Sequence, residues 1–354
     1  MTGIHGGDIY RNRVKLDFSI NVNPLGIPDA VRHALRDAVM MCGAYPDPEA
    51  EALREAVAAM LAVPEETLLF GNGASELFVA IMHGIRPKRT VIPVPSFYGY
   101  EYAAGTVDGE IIYYEMIRED GLYLTEDFYS VLTKDVEVLI LANPNNPTGN
   151  LMSRETVIRI LEYCKERGIY VVLDECFIEF CGRETSMIPE TARFDNLIII
   201  RAFTKSFSIP GVRLGYLVCS DDALRRRIKR QLPEWNLSVF AQEAGRVCAG
   251  QTDFIAKTES YVRKEREYLV KGLRKLGYTV YPSEANFILL YCEEVLCGKW
   301  KEEPHEKLYD KLLAKGILIR DCENFRGLGR GYYRIAVKSR EENDILLNMI
   351  ATGI

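Results

Sequence analysis

Asn196-Leu-Ile-Ile-Ile-Arg-Ala-Phe-Thr-Lys205-Ser-Phe-Ser-Ile-Pro-Gly-Val-Arg213-Leu-Gly-Tyr216 is the stretch around which the rest of the chain organises itself. Its β-branched, apolar start predicts a buried strand, and Lys205 follows the end of that strand. A lysine so placed loses hydration, which favours the neutral, nucleophilic amine. Arg213 then supplies a positive charge that can neutralise a phosphate group. Taken alone, the block also fits an ordinary strand end with solvated basic residues.

Three more segments narrow the choice. Tyr170-Val-Val-Leu-Asp174 is a short apolar strand that ends on a carboxylate, and a buried carboxylate can hold a heterocyclic nitrogen protonated. Leu141-Ala-Asn-Pro-Asn-Asn146-Pro-Thr-Gly149 is a polar turn after the strand Val136 to Leu141, with amide side chains able to reach a phenolic oxygen or a carboxylate. Phe70-Gly-Asn-Gly73-Ala74-Ser75-Glu leads into an apolar helix expected to begin near Glu76. Glycines before small residues at a helix start leave backbone N–H groups free for a phosphate.

Together these segments resemble the fold-type I family of pyridoxal phosphate enzymes, in particular its histidinol-phosphate aminotransferase branch. The likeness covers nearly the whole chain, and the Asn143–Gly149 turn, the strand closing on Asp174 and the Thr204-Lys205 to Arg213 block are its most specific parts. It implies an α/β fold: a mainly parallel seven-stranded sheet flanked by helices, with a smaller α+β domain. It also implies pyridoxal 5'-phosphate as cofactor, in a Schiff base to Lys205, with Asp174 at the pyridine nitrogen and Asn146 at the phenolic oxygen. Gly73, Ala74, Ser75, Thr204 and Arg213 would hold the phosphate, with Phe97 of Pro-Ser-Phe-Tyr over the ring. Tyr45 of Ala-Tyr-Pro-Asp-Pro would reach into the neighbouring subunit's site, which makes a homodimer with shared sites the expected active form.

Composition agrees with this reading. A chain of 354 residues can bury a large core and form one substantial domain and a smaller one. The net charge of −6 argues against nucleic acid as the main partner. The densest basic cluster, Arg225-Arg-Arg-Ile-Lys-Arg230, is expected to be a solvated helix face. Nine cysteines show no CxxC pair and no ligand spacing with histidines, so they read as reduced thiols of a cytoplasmic protein. No apolar run approaches the length of a membrane span, and no basic region followed by an apolar stretch opens the chain.

Strands are expected near Thr90 to Val94, Val136 to Leu141, Tyr170 to Asp174, Leu197 to Arg201 and Arg213 to Cys219, alternating with helices as in a parallel sheet. Ser153 can cap a helix whose Val157, Ile160, Leu161 and Cys164 recur at helical spacing and which Gly168 can end. Beyond about residue 245 the texture changes to a long charged helix, Asp253 to Leu276. Strands follow at 278–281, 285–291, 316–320 and 332–337. The expected division is a large cofactor-binding domain, 41–245, and a discontinuous small domain made of 1–40 and 246–354.

Two positions depart from the aminotransferase pattern. Ala202 stands where a Ser or Thr usually adds a phosphate ligand. Phe177 replaces the tyrosine whose phenol usually bonds the cofactor's O3′. Phenylalanine there is similar to the threonine-phosphate decarboxylase group of cobalamin biosynthesis. So are Ile4-His5-Gly-Gly-Asp-Ile-Tyr10, Leu16-Asp-Phe-Ser-Ile-Asn-Val-Asn-Pro-Leu-Gly26, Pro233-Glu-Trp-Asn-Leu-Ser238, Ile319-Arg-Asp-Cys-Glu-Asn-Phe-Arg-Gly-Leu328 and Tyr332-Tyr-Arg-Ile-Ala-Val337. That resemblance implies decarboxylation of O-phospho-L-threonine to aminopropanol phosphate, with Lys205 as the acid that reprotonates Cα. Arg334 would bind the α-carboxylate together with Asn146, while Arg320 and His5 bind the phosphate. The alternative is a histidinol-phosphate or related aminotransferase, which needs an oxo acid. A pyridoxal phosphate-sensing regulator without catalysis is the third reading; it is expected to carry a DNA-binding domain ahead of the fold, whereas the likeness begins at residue 4.

Overall fold

A computed structural model describes residues 6–292 and 307–352. A short strand, β1 (Leu16–Asp17), precedes the main sheet, which is built from β2 (Leu68–Gly71), β3 (Arg89–Val94), β4 (Glu110–Glu115), β5 (Val138–Ala142), β6 (Tyr170–Asp174), β7 (Leu197–Ala202) and β8 (Gly215–Cys219). Their order across the sheet is β2-β8-β7-β6-β5-β3-β4. Every pairing is parallel except those of β8, which runs antiparallel to both β7 and β2. The sheet is thus seven-stranded and mainly parallel, as expected.

Strands β5 to β7 read as unbroken apolar runs because both faces of the sheet are covered. Leu139, Leu141, Val171, Leu173, Leu197 and Ile199 enter one hydrophobic cluster, and Val138, Ile140, Val172, Ile198 and Ile200 enter the other, which is the period-two alternation of a strand. The helix Arg154–Lys165 covers the first face with Val157, Ile160, Leu161 and Cys164; the helix Ala74–Ile85 covers the second with Leu77, Phe78, Ile81 and Met82. Ser153 Oγ accepts from the Thr156 N–H, a cap worth about 1 kcal/mol.

Past the long helix Thr252–Lys275 lies a four-stranded antiparallel sheet of β9 (Thr279–Val280), β10 (Phe287–Tyr291), β12 (Arg320–Asp321) and β13 (Tyr332–Ala336), in the order β12-β13-β10-β9. Where one strand was expected over 316–320, the chain makes two. β11 (Ile317–Leu318) pairs with β1, and only then does Arg320 enter the four-stranded sheet. The N-terminal segment is therefore tied to the C-terminal part, also through Ala336 N–H to the Phe18 carbonyl at 2.9 Å. The expected boundary near residue 245 falls within a continuous helix, Val239–Ala249, against which the helix Asp29–Ala38 also packs.

Strands β2 and β4, at the two edges of the sheet, carry no clear signal in the sequence, and the expected strand start at Arg213 is replaced by a turn. Pro210–Val212 form a short 3-10 turn and Arg213 takes a left-handed φ of 61° before β8 begins at Gly215. The basic cluster lies on the helix Asp222–Lys229. Arg226 faces solvent, but Arg225 is buried and bonds the Cys219 carbonyl and Asp222, so the cluster is only partly a solvated face. Among the described residues no helix is long and apolar enough to cross a membrane.

Candidate active site

The parallel order reverses at β3: β4 lies on one side of it and β5 on the other. In open α/β sheets a ligand crevice forms outside the carboxyl ends of the strands at such a reversal. A cavity of about 880 Å³ lies there, large enough for a cofactor and a small substrate. It brings together Ala74 and Ser75 after β2, Phe97 after β3, Asn146 after β5, Asp174 at the end of β6, and Thr204 and Lys205 after β7. Arg213 joins them because β8 runs the other way and starts at this edge. Arg320 and Arg334 enter from the small sheet.

Gly73 does not line the cavity but makes room in it. Its φ is 78°, and a Cβ there would sit 2.3 Å from Arg213 Nη2. Gly215 is equally constrained, since its Cβ would meet Ala74 N at 2.6 Å. The guanidinium of Arg213 can thus sit beside the first turn of the helix Ala74–Ile85, which has no side-chain cap. A cation beside free N–H groups at a helix N-terminus suits a phosphate.

Burial and neighbouring arginines Arg334 and Arg213 lower the Lys205 pKa, while Cys176 and Asp174 oppose the shift. The effect is to favour the neutral amine that attacks a carbonyl. The lysine's turn is clasped from the N-terminal segment: Asn23 N–H donates to the Lys205 carbonyl at 2.9 Å, and its Nδ2 to the Ser206 carbonyl at 2.6 Å and Thr258 Oγ1 at 2.8 Å.

Asp174 is 8 % exposed, and burial raises its pKa against the pull of two hydrogen bonds. Oδ1 accepts from Cys176 N–H at 2.9 Å, and Oδ2 from the Tyr100 hydroxyl at 2.5 Å. Tyr100 is a site residue that the sequence reading missed; it lies in the helix Tyr98–Ala104, fully packed, with its ring edge-on to Phe97 at 5.6 Å. Removing its hydroxyl with Tyr100→Phe takes away a bond that favours the carboxylate. Asp174 is then expected to titrate higher, so the acid limb of the kcat profile moves upward in pH and kcat at neutral pH falls about tenfold. A pH–rate profile checks this, and an unmoved acid limb would separate Tyr100 from Asp174's ionisation.

Of the three amides in the Asn143–Gly149 turn, only Asn146 reaches the cavity. Asn143 braces the turn through the Met152 backbone, and Asn145 bonds the Pro95 carbonyl at 3.0 Å. Asn146 Oδ1 accepts from Arg334 Nη1, while Arg334 Nη2 donates to the Ser19 carbonyl at 2.8 Å. Arg334 Nε is buried with no partner among the described residues. Burial lowers the Arg334 pKa to about 10, so its guanidinium stays charged at neutral pH.

Strand register makes the most telling contact. Arg320 stands directly opposite Arg334 across β12 and β13, and each is 6 % exposed. Arg320 donates to Asn324 Oδ1 at 2.7 Å and to the Asp321 carbonyl, with its guanidinium 5.0 Å from the Phe325 ring. Like charges facing each other on one sheet are destabilising, a cost that Asp321 near Arg320 and Asp17 near Arg334 offset in part and that anions bound against the pair would offset further.

Other expected residues fall elsewhere. Tyr45 is 82 % exposed, outside the cavity, with its ring 5.0 Å from that of Trp235. His5 lies outside the described residues. Phe177 lines the cavity and packs edge-on against Phe287, so no phenol stands at that position; Ala202 lines it with a methyl group. A carbonyl-reactive amine, a phosphate cradle and a buried carboxylate within one cavity fit pyridoxal phosphate, in its aldehyde, phosphate and ring nitrogen respectively.

The chain belongs to the aminotransferase class I and II family, whose model matches residues 13–350, and it is a pyridoxal phosphate enzyme of fold type I. It is 38 % identical, over 99 % of its length and 97 % of the relative's, to the threonine-phosphate decarboxylase of Salmonella typhimurium. It is 31 % identical over 97 % of its length to the adenosylcobalamin biosynthesis bifunctional protein CobDQ of Leptospira interrogans, of which it spans 40 %. Among solved structures, the histidinol-phosphate aminotransferase of Clostridium acetobutylicum superposes with a TM-score of 0.87 at 32 % identity, covering 95 % of this chain and 98 % of that one.

Proposed function

We propose that this enzyme decarboxylates O-phospho-L-threonine to aminopropanol phosphate, within the construction of cobalamin. The observation that carries the reading is the buried Arg320–Arg334 pair, which presents two guanidinium groups to one cavity and so suits a substrate with two anionic groups. The named activity of the Salmonella relative, the cobalamin assignment of the Leptospira relative and the phenylalanine at 177 point the same way.

Bound pyridoxal phosphate supplies an electron sink for whichever bond to Cα stands perpendicular to its ring. Everything else falls to side chains. Arg334 grips the α-carboxylate through its planar fork, with Asn146 alongside. Arg320 and His5 take the phosphate at the other end, and two-point anchoring fixes rotation about the Cα bonds. Asp174 keeps a proton on the ring nitrogen. Lys205 would take up a proton from the incoming substrate's ammonium group and deliver it to Cα in place of the departed carbon dioxide, and its lowered pKa eases that delivery.

Arg213, Thr204 and the N–H groups of Ala74 and Ser75 hold the cofactor phosphate beside Gly73, and Phe97 covers the ring. Tyr45 completes the phosphate site of a second subunit. Its exposure, beside the exposed Val39, Met40 and Met41, supports a homodimer with shared sites. The reaction is assigned to the cytoplasm, in keeping with eight described cysteines that are all free thiols. The likeness to the Clostridium aminotransferase favours transamination of a phosphorylated amine as the second reading, and that reaction would use the same arginines.

Arg320→Ala tests the assignment of the phosphate end. It is expected to lower kcat/KM on O-phospho-L-threonine about a hundredfold, from the loss of about 3 kcal/mol of charge-assisted hydrogen bonding, and to change kcat/KM on L-threonine by less than about threefold. Equal losses on both compounds would show that Arg320 does not read phosphate.

A further inference from the structure

A fourth arginine, Arg326, lines the same cavity as Arg213, Arg320 and Arg334. It sits in the turn that also carries Asn324, the partner of Arg320. That turn is held by Phe325 N–H to the Cys322 carbonyl and Leu328 N–H to the Phe325 carbonyl, both at 3.0 Å. The guanidinium of Arg326 lies 3.9 Å from the centre of the Tyr113 ring and 3.4 Å from Glu101 Oε1, in the helix Tyr98–Ala104 on the far side of the opening. Tyr113 and Glu101 both line the cavity.

Arg334 and Arg326 differ in how they are satisfied. Arg334 is buried and its partners include the neutral oxygens of Asn146 and Ser19, whereas Arg326 is about half exposed and bonds the Glu101 carboxylate at 3.4 Å, near the outer limit of a hydrogen bond. A long, exposed ion pair contributes little and is readily exchanged. A phosphate offers more charge and a better fork for two N–H groups than the Glu101 carboxylate does. The stack on Tyr113 keeps the guanidinium at the cavity wall during such an exchange.

We infer that Arg326 is a further phosphate-reading residue beside Arg320 and His5, engaged by Glu101 before substrate arrives, so that a substrate phosphate must displace the Glu101 carboxylate to gain it. The inference rests on the reading that the substrate carries a phosphate, but not on which reaction follows. It makes Glu101 a specificity element that penalises amino acids without a phosphate, because they cannot replace the contact they disturb.

The two partners have opposite expected effects, which separates this role from a simple bridge across the opening. With the holoenzyme, inorganic phosphate is titrated calorimetrically and KM for O-phospho-L-threonine is measured. Arg326→Ala is expected to weaken both about tenfold with a smaller change in kcat. Glu101→Gln is expected to tighten both about threefold, and the double variant to behave as Arg326→Ala alone. A bridge would make both single variants weaken binding, and that result overturns the inference. So does unchanged binding in both, or wild-type holoenzyme that binds no phosphate. If phosphate binding shifts as expected while no carbon dioxide forms from O-phospho-L-threonine, the decarboxylase reading fails and the role of Arg326 stands.

Discussion

Lys205→Ala is expected to abolish the visible absorbance of the cofactor-loaded enzyme and to cut turnover by at least about a thousandfold. The amine sits after β7 in a cavity where burial, Arg334 and Arg213 all disfavour its charged form. No other lysine lines that cavity among the described residues, so no neighbour can take its place. Folding should survive, because the turn is held by backbone bonds from Asn23 rather than by the ammonium group. Absorbance spectra and single-turnover kinetics on the same preparation check the two halves. Normal turnover in the alanine variant would overturn the assignment of Lys205 as both cofactor anchor and proton donor.

Asp174→Asn should be nearly as damaging, with kcat lower by about a thousandfold or more while KM changes little. Asparagine preserves the shape and can keep the Cys176 N–H and Tyr100 contacts, but it cannot hold a proton on a ring nitrogen by charge. The pH dependence follows in sign from the wild-type environment. Burial raises the Asp174 pKa, so the carboxylate is lost on acidification sooner than an exposed one, and activity falls with it. In the Asp174→Asn variant that acid limb should vanish, and steady-state rates across pH test it. A retained acid limb would assign it to another group.

Much of this was legible before any coordinates. Apolar runs closing on Asp174 and Lys205 were readable because strands buried on both faces admit no polar interruptions, and the functional residues had to sit at their carboxyl ends. Strand β4, with its Glu110 and Glu115 ends and half-exposed middle, carried no such signal because it lies at the sheet edge. Tyr100 was hidden in an aromatic-rich segment, where nothing in the spacing sets it apart from Tyr98 or Tyr102. The Arg320–Arg334 pairing depends on the register of two strands separated by a turn, and residue order alone does not fix which cross-strand partner an arginine meets. The break between β11 and β12 was invisible for the same reason: Ile317 and Leu318 pair with a strand near the other end of the chain.

The central claim is that two-point anchoring of a phosphorylated amino acid directs loss of its carboxylate. The most direct test incubates cofactor-loaded enzyme with O-phospho-L-threonine in the absence of any oxo acid and follows carbon dioxide and aminopropanol phosphate over many turnovers. The structure's arrangement of Lys205, Asp174, Arg320 and Arg334 predicts sustained release of both products in equal amounts. No release, with histidinol phosphate consumed only when 2-oxoglutarate is added, would contradict the decarboxylase and make the same cavity that of an aminotransferase.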